Sequence, residues 1–221
     1  MNIAIDGPAG AGKSTIARKL AEELGYVYVD TGAMYRAMAL FFLEQGIAAS
    51  NEQEISAAAS LIDLSIRYQD GEQQVLLNGE NVNRKIRTEE VGNMASATSV
   101  YPDVRRKLVA LQQKLASDTD VIMDGRDIGT CVLPNAEVKI YLTASSATRA
   151  KRRYDELCAK GETCDLNEIR LDIEERDARD MNRETSPLKQ AEDAVLVDSS
   201  DLTVEEVVET IRRICRKNYS I

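Results

Sequence analysis

The stretch Gly7-Pro8-Ala9-Gly10-Ala11-Gly12-Lys13-Ser14 matches the pattern G-x-x-x-x-G-K-[ST], which is typical of a phosphate-binding P-loop. Its flanks fit this pattern, because Ile3-Ala4-Ile5 predicts a buried strand and the apolar residues from Ser14 to Leu24 recur at helical spacing. Glycines allow the N–H groups of the loop to point inward, and the N-terminus of the next helix adds partial positive charge. The stretch therefore predicts a phosphate-binding loop between a strand and a helix.

The last two residues of the loop supply its charge and a metal-binding oxygen. We expect the ammonium group of Lys13 to reach the β- and γ-phosphates of a nucleotide, and the hydroxyl of Ser14 to ligate Mg²⁺. The alternative is a glycine-rich turn that matches the pattern by chance. The strand and the helix on its two sides count against that alternative.

Composition limits the class of protein. The 221 residues, 43% of them hydrophobic, suit one α/β domain with an inserted subdomain and argue against disorder. The apolar runs are too short for a membrane span, and the first predicted strand leaves no room for a signal peptide, so we expect a cytoplasmic protein. The net charge of −9 argues against binding to a nucleic-acid polymer. Nine Lys and Arg residues between Arg149 and Arg183 nevertheless indicate a local site for a small anion.

The cysteines and the absence of histidine exclude several kinds of chemistry. The four cysteines form no C-x-x-C pair, so they argue against a zinc site and are expected to be free thiols; they are Cys131, Cys158, Cys164 and Cys215. A chain without histidine cannot use Ser-His-Asp or Cys-His catalysis.

Strands alternate with helices along most of the chain, which predicts a parallel, doubly wound sheet of the P-loop type flanked by helices. After the first strand, the predicted strands of this sheet are Tyr26–Asp30, Val121–Asp124, Val138–Leu142 and Ala194–Asp198. Thr31 is expected to cap the helix that runs from Ala33 to about Gln45. Ligands of such a sheet bind beyond the carboxyl ends of its strands.

A different pattern interrupts this alternation. Short strand-like runs at 64–68, 75–77 and 80–82 are separated by Asp70-Gly71 and Asn78-Gly79, which are hairpin dipeptides. They predict a small antiparallel sheet. We therefore expect a single P-loop domain in which an insert, residues 63–99, interrupts a core formed by residues 1–62 and 100–221.

Two further loops at the ends of predicted strands carry polar side chains. Asp124 ends an apolar strand as a Walker B carboxylate does, so it could hold Mg²⁺ or its water, and Arg126 and Asp127 follow it. Thr31 and Arg36 follow the second strand, with Arg36 about one turn into its helix. The alternatives are a polar turn in the first loop, and a capping threonine with a solvated arginine in the second.

A predicted helix over residues 166–183 carries Arg176, Arg179, Asp180 and Arg183, whose spacings of three, four and seven place them on one face. This face could bind an anion. The alternative is a solvated face with i,i+4 ion pairs, for example Arg176 with Asp180.

The chain resembles the bacterial-type cytidylate kinases, which are nucleoside monophosphate kinases. The resemblance extends over nearly the whole chain, and the P-loop alone would indicate only the superfamily. It rests on five stretches in family order: Asp6–Thr15, Asp30–Arg36, Ile86–Val91, Asp124–Gly129 and Glu175–Arg183.

The resemblance implies roles for individual residues. It implies that ATP binds to Gly7, Pro8, Ala9, Gly10, Ala11, Gly12, Lys13, Ser14 and Thr15. It implies a CMP site lined by Thr31, Arg36, Arg126 and Arg183, with the three arginines facing the phosphate. It implies that the base faces Ser96, Arg105 and Asp127, and that the sugar faces Arg176 and Asp180. Lys13, Arg126 and Arg183 would then be catalytic, and Ser14 and Asp124 would hold Mg²⁺. Residues 63–99 would belong to the monophosphate-binding insert, and residues of about 146–178 would form a mobile lid. The resemblance also implies that the protein is a monomer.

This reading predicts transfer of the ATP γ-phosphate to CMP or dCMP. A phosphate monoester is already an anionic nucleophile near neutrality, so a site rich in arginine needs no histidine base. Two alternatives stay open, namely another small-molecule kinase with a P-loop, and a nucleotide-dependent switch. The chain has neither the N-K-x-D nor the D-x-x-G motif of such switches.

Overall fold

The computed structural model describes residues 1–218, in which strands and helices follow each other largely as the hydrophobic pattern predicts. The strands are β1 (Asn2–Asp6), β2 (Val27–Asp30), β3 (Leu64–Gln69), β4 (Glu72–Leu77), β5 (Glu80–Asn81), β6 (Val121–Gly125), β7 (Val138–Thr143) and β8 (Val195–Asp198). The α-helices are α1 (Lys13–Leu24), α2 (Thr31–Glu44), α3 (Glu52–Leu61), α4 (Glu89–Thr98), α5 (Pro102–Asp118), α6 (Ser146–Ala159), α7 (Leu166–Asn182) and α8 (Val204–Asn218). A 3-10 turn spans Lys85–Arg87, and a π-helical turn spans Ile128–Val132.

These elements form two compact units. The first unit consists of Met1–Tyr26 and the chain from Val121 onward, and the second is Val27–Asp120. The second unit contains β2, α2, α3 and α5 in addition to the expected insert of residues 63–99. None of the helices described between residues 1 and 218 is long and apolar enough to cross a membrane.

The first unit contains parallel strands in the order β6-β1-β7-β8. Ile3 lies opposite Ile122, and Ile5 lies opposite both Asp124 and Ile140. The isoleucines are fully buried, as expected for strands of a parallel sheet. This register places the end of β1, where the P-loop begins, beside the end of β6, where Asp124 lies.

The second unit contains the antiparallel sheet β3-β4-β5, which confirms the predicted hairpins. Asp70 and Gly71 both have positive φ, at 53° and 79°, so the turn between β3 and β4 has the hairpin conformation that this dipeptide favours. Asn78 and Gly79, at 50° and 84°, do the same between β4 and β5. Helix α2 packs on this sheet and on α4, and Met34, Met38 and Phe42 of α2 are fully buried.

The predicted cap of α2 is wrong by one residue. Asp30, not Thr31, is the N-cap: its carboxylate accepts a hydrogen bond of 2.8 Å from the N–H of Ala33. Thr31 is instead the first helical residue, and it is buried. Asp and Thr both cap helices, and here the more favourable Asp comes first, so the helix starts earlier than predicted.

Candidate active site

The P-loop connects β1 to α1 in a conformation that two of its glycines make possible. A Cβ atom on Gly7, whose φ is 151°, would lie 1.9 Å from the carbonyl oxygen of Leu142, so a side chain at this position would collide with β7. Gly12 has φ of 87° and is the N-cap of α1. Any other residue at these two positions would be strained, and the loop would lose its shape.

The side chain of Lys13 folds back onto the P-loop. Its Nζ donates a hydrogen bond of 2.7 Å to the carbonyl oxygen of Pro8, and its side chain is buried. Burial and the nearby guanidinium of Arg126 lower the pKa of Lys13 to about 7, although Asp124 and Asp6 act in the opposite direction. A bound polyphosphate would favour the charged form of this amine, because an adjacent negative charge raises the pKa of a lysine.

Ser14 and Asp124, predicted separately as metal ligands, lie together. The hydroxyl of Ser14 donates a hydrogen bond of 2.8 Å to Oδ2 of Asp124, which is buried at the end of β6. A hydroxyl and a carboxylate are hard oxygen donors that fit Mg²⁺, which takes one or two protein ligands and completes its shell with water and phosphate oxygens. In residues 1–218 no group of three or more Asp, Glu, His or Cys residues could hold a metal by itself.

The sequence analysis did not identify Asp6 as a residue that shapes the site. Its carboxylate accepts hydrogen bonds of 2.7 Å from the N–H groups of both Ile128 and Gly129. Burial raises the pKa of Asp6 to about 6, although these two hydrogen bonds act to lower it. Asp6 thus fixes the π-helical turn that follows Asp127. Its position at a strand end, directly before the P-loop, was the available signal.

Four of the residues predicted for the acceptor site meet in the first unit. Nε of Arg126 lies 2.8 Å from Oδ2 of Asp180 in α7, and Asp180 is buried. Nη2 of Arg183, directly after α7, lies 3.6 Å from Oδ1 of Asp127, and both side chains are at least 93% buried. Two segments far apart in sequence therefore form one cluster of alternating charge.

The two remaining arginines of the α7 face differ in exposure. Arg176 is half-buried, whereas Arg179 is exposed. The helix therefore does not present all four charged residues to one environment, and its buried side is formed by Ile173, Asp177 and Asp180.

Arginines of the second unit converge on Asp30. Nη2 of Arg36 and Nη2 of Arg87 each lie 3.3 Å from Oδ2 of Asp30. The backbone of Asp30 is held in turn by the side-chain amide of Gln73, which bonds to both its N–H and its carbonyl group. One carboxylate faces two guanidinium groups, so the cluster keeps a net positive charge that favours an anion. Arg87 was missed as a site residue, although the stretch Ile86–Val91 contains it.

Ser96 and Arg105 lie on α4 and α5 of the same unit. The buried Arg105 donates a hydrogen bond of 3.4 Å to the carbonyl oxygen of Ser99, which lies one helical turn after the half-buried Ser96. The Arg105 guanidinium also lies 5.8 Å from the ring centroid of Tyr35 in α2, which is a cation–π distance. Arg105 is thus held in one orientation by two neighbouring helices.

The chain is similar to known proteins over almost its whole length. The family model described as "Cytidylate kinase" matches residues 3–217. The chain is 50% identical over 217 residues to the cytidylate kinase of Caldicellulosiruptor bescii, covering 98% of this chain and 96% of that protein. It is 49% identical to the cytidylate kinase of Lactobacillus johnsonii, with 98% and 94% covered.

The solved structures extend the likeness to the fold alone. Shikimate kinase from Bacteroides thetaiotaomicron has a TM-score of 0.50 at 10% identity, with 100% of this chain and 99% of that chain covered. Together with the parallel sheet, its flanking helices and the small antiparallel sheet, this likeness confirms the predicted fold class.

Proposed function

The chain belongs to the cytidylate kinase family, and on this basis we propose that it transfers the γ-phosphate of ATP to CMP or dCMP, giving ADP and CDP or dCDP. The observation that carries the proposal is the match over residues 3–217, with half of the residues identical to a protein of that name. The clustering of Arg126, Asp127, Asp180 and Arg183 supports it, because these residues come from the stretches that carry the resemblance.

The donor half of the reaction is assigned to the P-loop. The backbone N–H groups of Gly7–Thr15, other than Pro8, which has none, would hold the ATP phosphates. Lys13 would place its ammonium group where the γ-phosphoryl group is transferred. Ser14 and Asp124 would hold the divalent metal that the family implies, which we take to be Mg²⁺. That ion would supply positive charge to the β- and γ-phosphate oxygens.

The acceptor half needs positive charge and no general base. The second pKa of a phosphate monoester is about 6, so the attacking oxygen is already ionised near neutral pH. Arg36, Arg126 and Arg183 are the proposed ligands of the acceptor phosphate, and Thr31 is proposed to line the monophosphate site. Such groups stabilise the charge of the transition state, and a chain without histidine can do so.

The base and the sugar are assigned to polar residues of matching hydrogen-bond type. Cytosine presents an amino donor at position 4 and acceptors at N3 and O2. The carboxylate of Asp127 can accept from the amino group, and Ser96 and Arg105 can donate to the acceptors. Arg176 and Asp180 are the proposed partners of the sugar hydroxyls.

An acceptor panel tests the proposal. ADP release is followed in the presence of ATP and Mg²⁺ with CMP, dCMP, UMP, AMP, GMP or no acceptor. We expect turnover only with an acceptor, and the highest kcat/KM with CMP and dCMP. A preference for another acceptor would favour a different small-molecule kinase, and slow hydrolysis unaffected by every acceptor would favour a switch.

The other expectations stay predictions. They are a monophosphate-binding insert at residues 63–99 and a lid at about 146–178 within a single kinase domain, a monomeric and cytoplasmic protein, and no binding to nucleic-acid polymers. Gel filtration with light scattering tests the monomer, for which a mass near 24.4 kDa is expected.

A further inference from the structure

Two cysteines face each other at the turn between α6 and α7, outside the proposed site. Sγ of Cys158 lies 4.0 Å from Sγ of Cys164. Cys158 is exposed in the last turn of α6, and Cys164 is half-buried directly before Asp165, the N-cap of α7. Five residues separate the two thiols in the chain.

The backbone of the turn holds the thiols in this position. The N–H of Gly161, whose φ is 81°, donates to the carbonyl oxygen of Cys158 at 2.9 Å, and the N–H of Glu162 donates to that of Leu157 at 3.0 Å. On the other side, Oδ1 of Asp165 accepts from the N–H groups of Asn167 and Glu168. Because the end of α6 and the start of α7 are both fixed, the short distance between the thiols is a property of the turn.

We propose that Cys158 and Cys164 form an intramolecular disulfide when the protein meets hydrogen peroxide or a small-molecule disulfide, so that this turn is a site of reversible oxidation. A disulfide bond is about 2.0 Å long, so the sulfur atoms must approach by about 2 Å. We expect rotation of the two side chains about χ1 to supply this movement.

The two cysteines have different roles in the reaction. Cys158 is the exposed thiol, and its thiolate attacks the peroxide, giving a sulfenic acid and water once the leaving oxygen is protonated. The sulfur of Cys164 then displaces the hydroxyl group as a second water. Overall two thiols lose two electrons and two protons, and one peroxide molecule is reduced to two molecules of water. Burial and the neighbouring Cys158 raise the pKa of Cys164, which suits it as the resolving thiol, not the attacking one.

The bond would join two helices that already share a buried ion pair. Nη2 of Arg149 in α6 lies 2.6 Å from Oδ2 of Asp177 in α7, and Nη1 of Arg149 donates to the carbonyl oxygen of Ala9 in the P-loop at 2.9 Å. The disulfide would connect the same helices at their opposite ends. We therefore expect oxidation to rigidify the turn, with slower hydrogen exchange in residues 157–165.

Intact mass and peptide mapping test the proposal on the full-length chain without reference to kinase activity. After treatment with hydrogen peroxide or oxidised glutathione, we expect wild type to lose the mass of two hydrogen atoms and to yield one peptide pair linked through Cys158 and Cys164. Dithiothreitol should reverse both changes. Cys131→Ser, which removes another exposed thiol, should still form the bond, whereas Cys158→Ser and Cys164→Ser should not.

Two results would overturn the proposal. They are a stable glutathione adduct or sulfinic acid on Cys158 without a link to Cys164, and a disulfide between two chains. A linked pair whose formation leaves hydrogen exchange in residues 157–165 unchanged would support the disulfide and contradict the expected rigidification. Since the readouts are mass and exchange, a failure here is distinguishable from a failure of the proposed kinase activity.

Discussion

Arg126 and Asp180, which lie 54 residues apart in the chain, form an ion pair in which Nε and Oδ2 are separated by 2.8 Å. Arg126 follows β6, and Asp180 lies on the buried side of α7. The pair therefore sets the direction of a guanidinium group that is proposed to bind the acceptor phosphate. It also gives Asp180 a structural role besides its proposed contact with the sugar.

Replacing the Asp180 carboxylate should lower activity with both CMP and dCMP. Asp180→Ala removes the partner of Arg126 and the proposed acceptor for the sugar 3′-hydroxyl. We therefore expect kcat/KM to fall by about 10²-fold for CMP and for dCMP. Each lost charge-assisted contact is worth about 1.5–3 kcal/mol, and the two losses do not add fully. Steady-state kinetics with both substrates measure this. Arg179→Ala, at an exposed position of the same helix, is the matched control and should change kcat/KM little. A loss confined to CMP would instead assign Asp180 to the 2′-hydroxyl.

Lys13→Met tests the proposed transition-state role of the P-loop lysine. Loss of a preorganised positive charge should lower kcat by about 10²-fold or more. The fold should persist, because methionine fills similar space and needs no charge in a buried position. Circular dichroism and thermal unfolding serve as the control for folding. A folded variant with nearly normal kcat would contradict the assignment.

Proton uptake on ATP binding should report the lowered pKa of Lys13. With a pKa of about 7 in the free protein, the amine is mostly neutral at pH 8, and bound phosphates should raise its pKa and return it to the charged form. Calorimetry at pH 8 in buffers of different ionisation enthalpy should therefore show uptake approaching one proton per ATP, falling toward zero at pH 6. Lys13→Met should abolish the uptake. Equal binding enthalpies in all buffers at pH 8 would rule this explanation out.

Asp6 should make stability depend on pH in a direction that can be checked. Its pKa of about 6 in the folded state exceeds the ordinary value of 3.8, so the folded state binds more protons between these values. The contribution of Asp6 to stability is therefore fully present below pH 4 and is lost as the pH rises through 6. By linkage, this change amounts to about 3 kcal/mol.

Comparison with Asp6→Asn isolates this effect, because asparagine does not titrate. Urea unfolding of both proteins from pH 4.5 to 7.5 should show the free energy of unfolding of wild type falling relative to that of the variant. The variant should also be weakened at every pH, since an amide has one acceptor oxygen for the two N–H groups of Ile128 and Gly129. A difference between the two proteins that is constant with pH would contradict the raised pKa.

Local sequence patterns predicted those features of the fold that depend on residues adjacent in the sequence. The P-loop glycines and the hairpin dipeptides Asp70-Gly71 and Asn78-Gly79 impose backbone conformations by themselves, so they could be read from the sequence. The cap of α2 was misplaced because Asp30 and Thr31 are both good caps, and pattern alone cannot choose between them.

Contacts between residues that lie far apart in the sequence could not be predicted from local sequence patterns. The hydrogen bonds of Asp6 to the π-helical turn, and the approach of Arg87 to Asp30, depend on how the chain folds back on itself. The resemblance nevertheless selected Arg126, Asp127, Asp180 and Arg183, which meet in the structure. Their pairing with each other, Arg126 with Asp180 and Arg183 with Asp127, was not foreseen, because spacing within one helix says nothing about partners from another segment.

The choice of base tests the central claim most directly, through kcat/KM for CMP and UMP with wild type and Asp127→Asn. Uracil would place a carbonyl oxygen against the Asp127 carboxylate and an N–H against a donor, and each good base contact is worth about 1–3 kcal/mol. We therefore predict that wild type prefers CMP by at least about 10²-fold. The asparagine amide can turn either way, so the variant should lose activity with CMP and show a smaller CMP:UMP ratio, an internal comparison that a general loss of folded protein would not change. A wild-type preference for UMP, or a ratio that the variant leaves unchanged, would contradict the account.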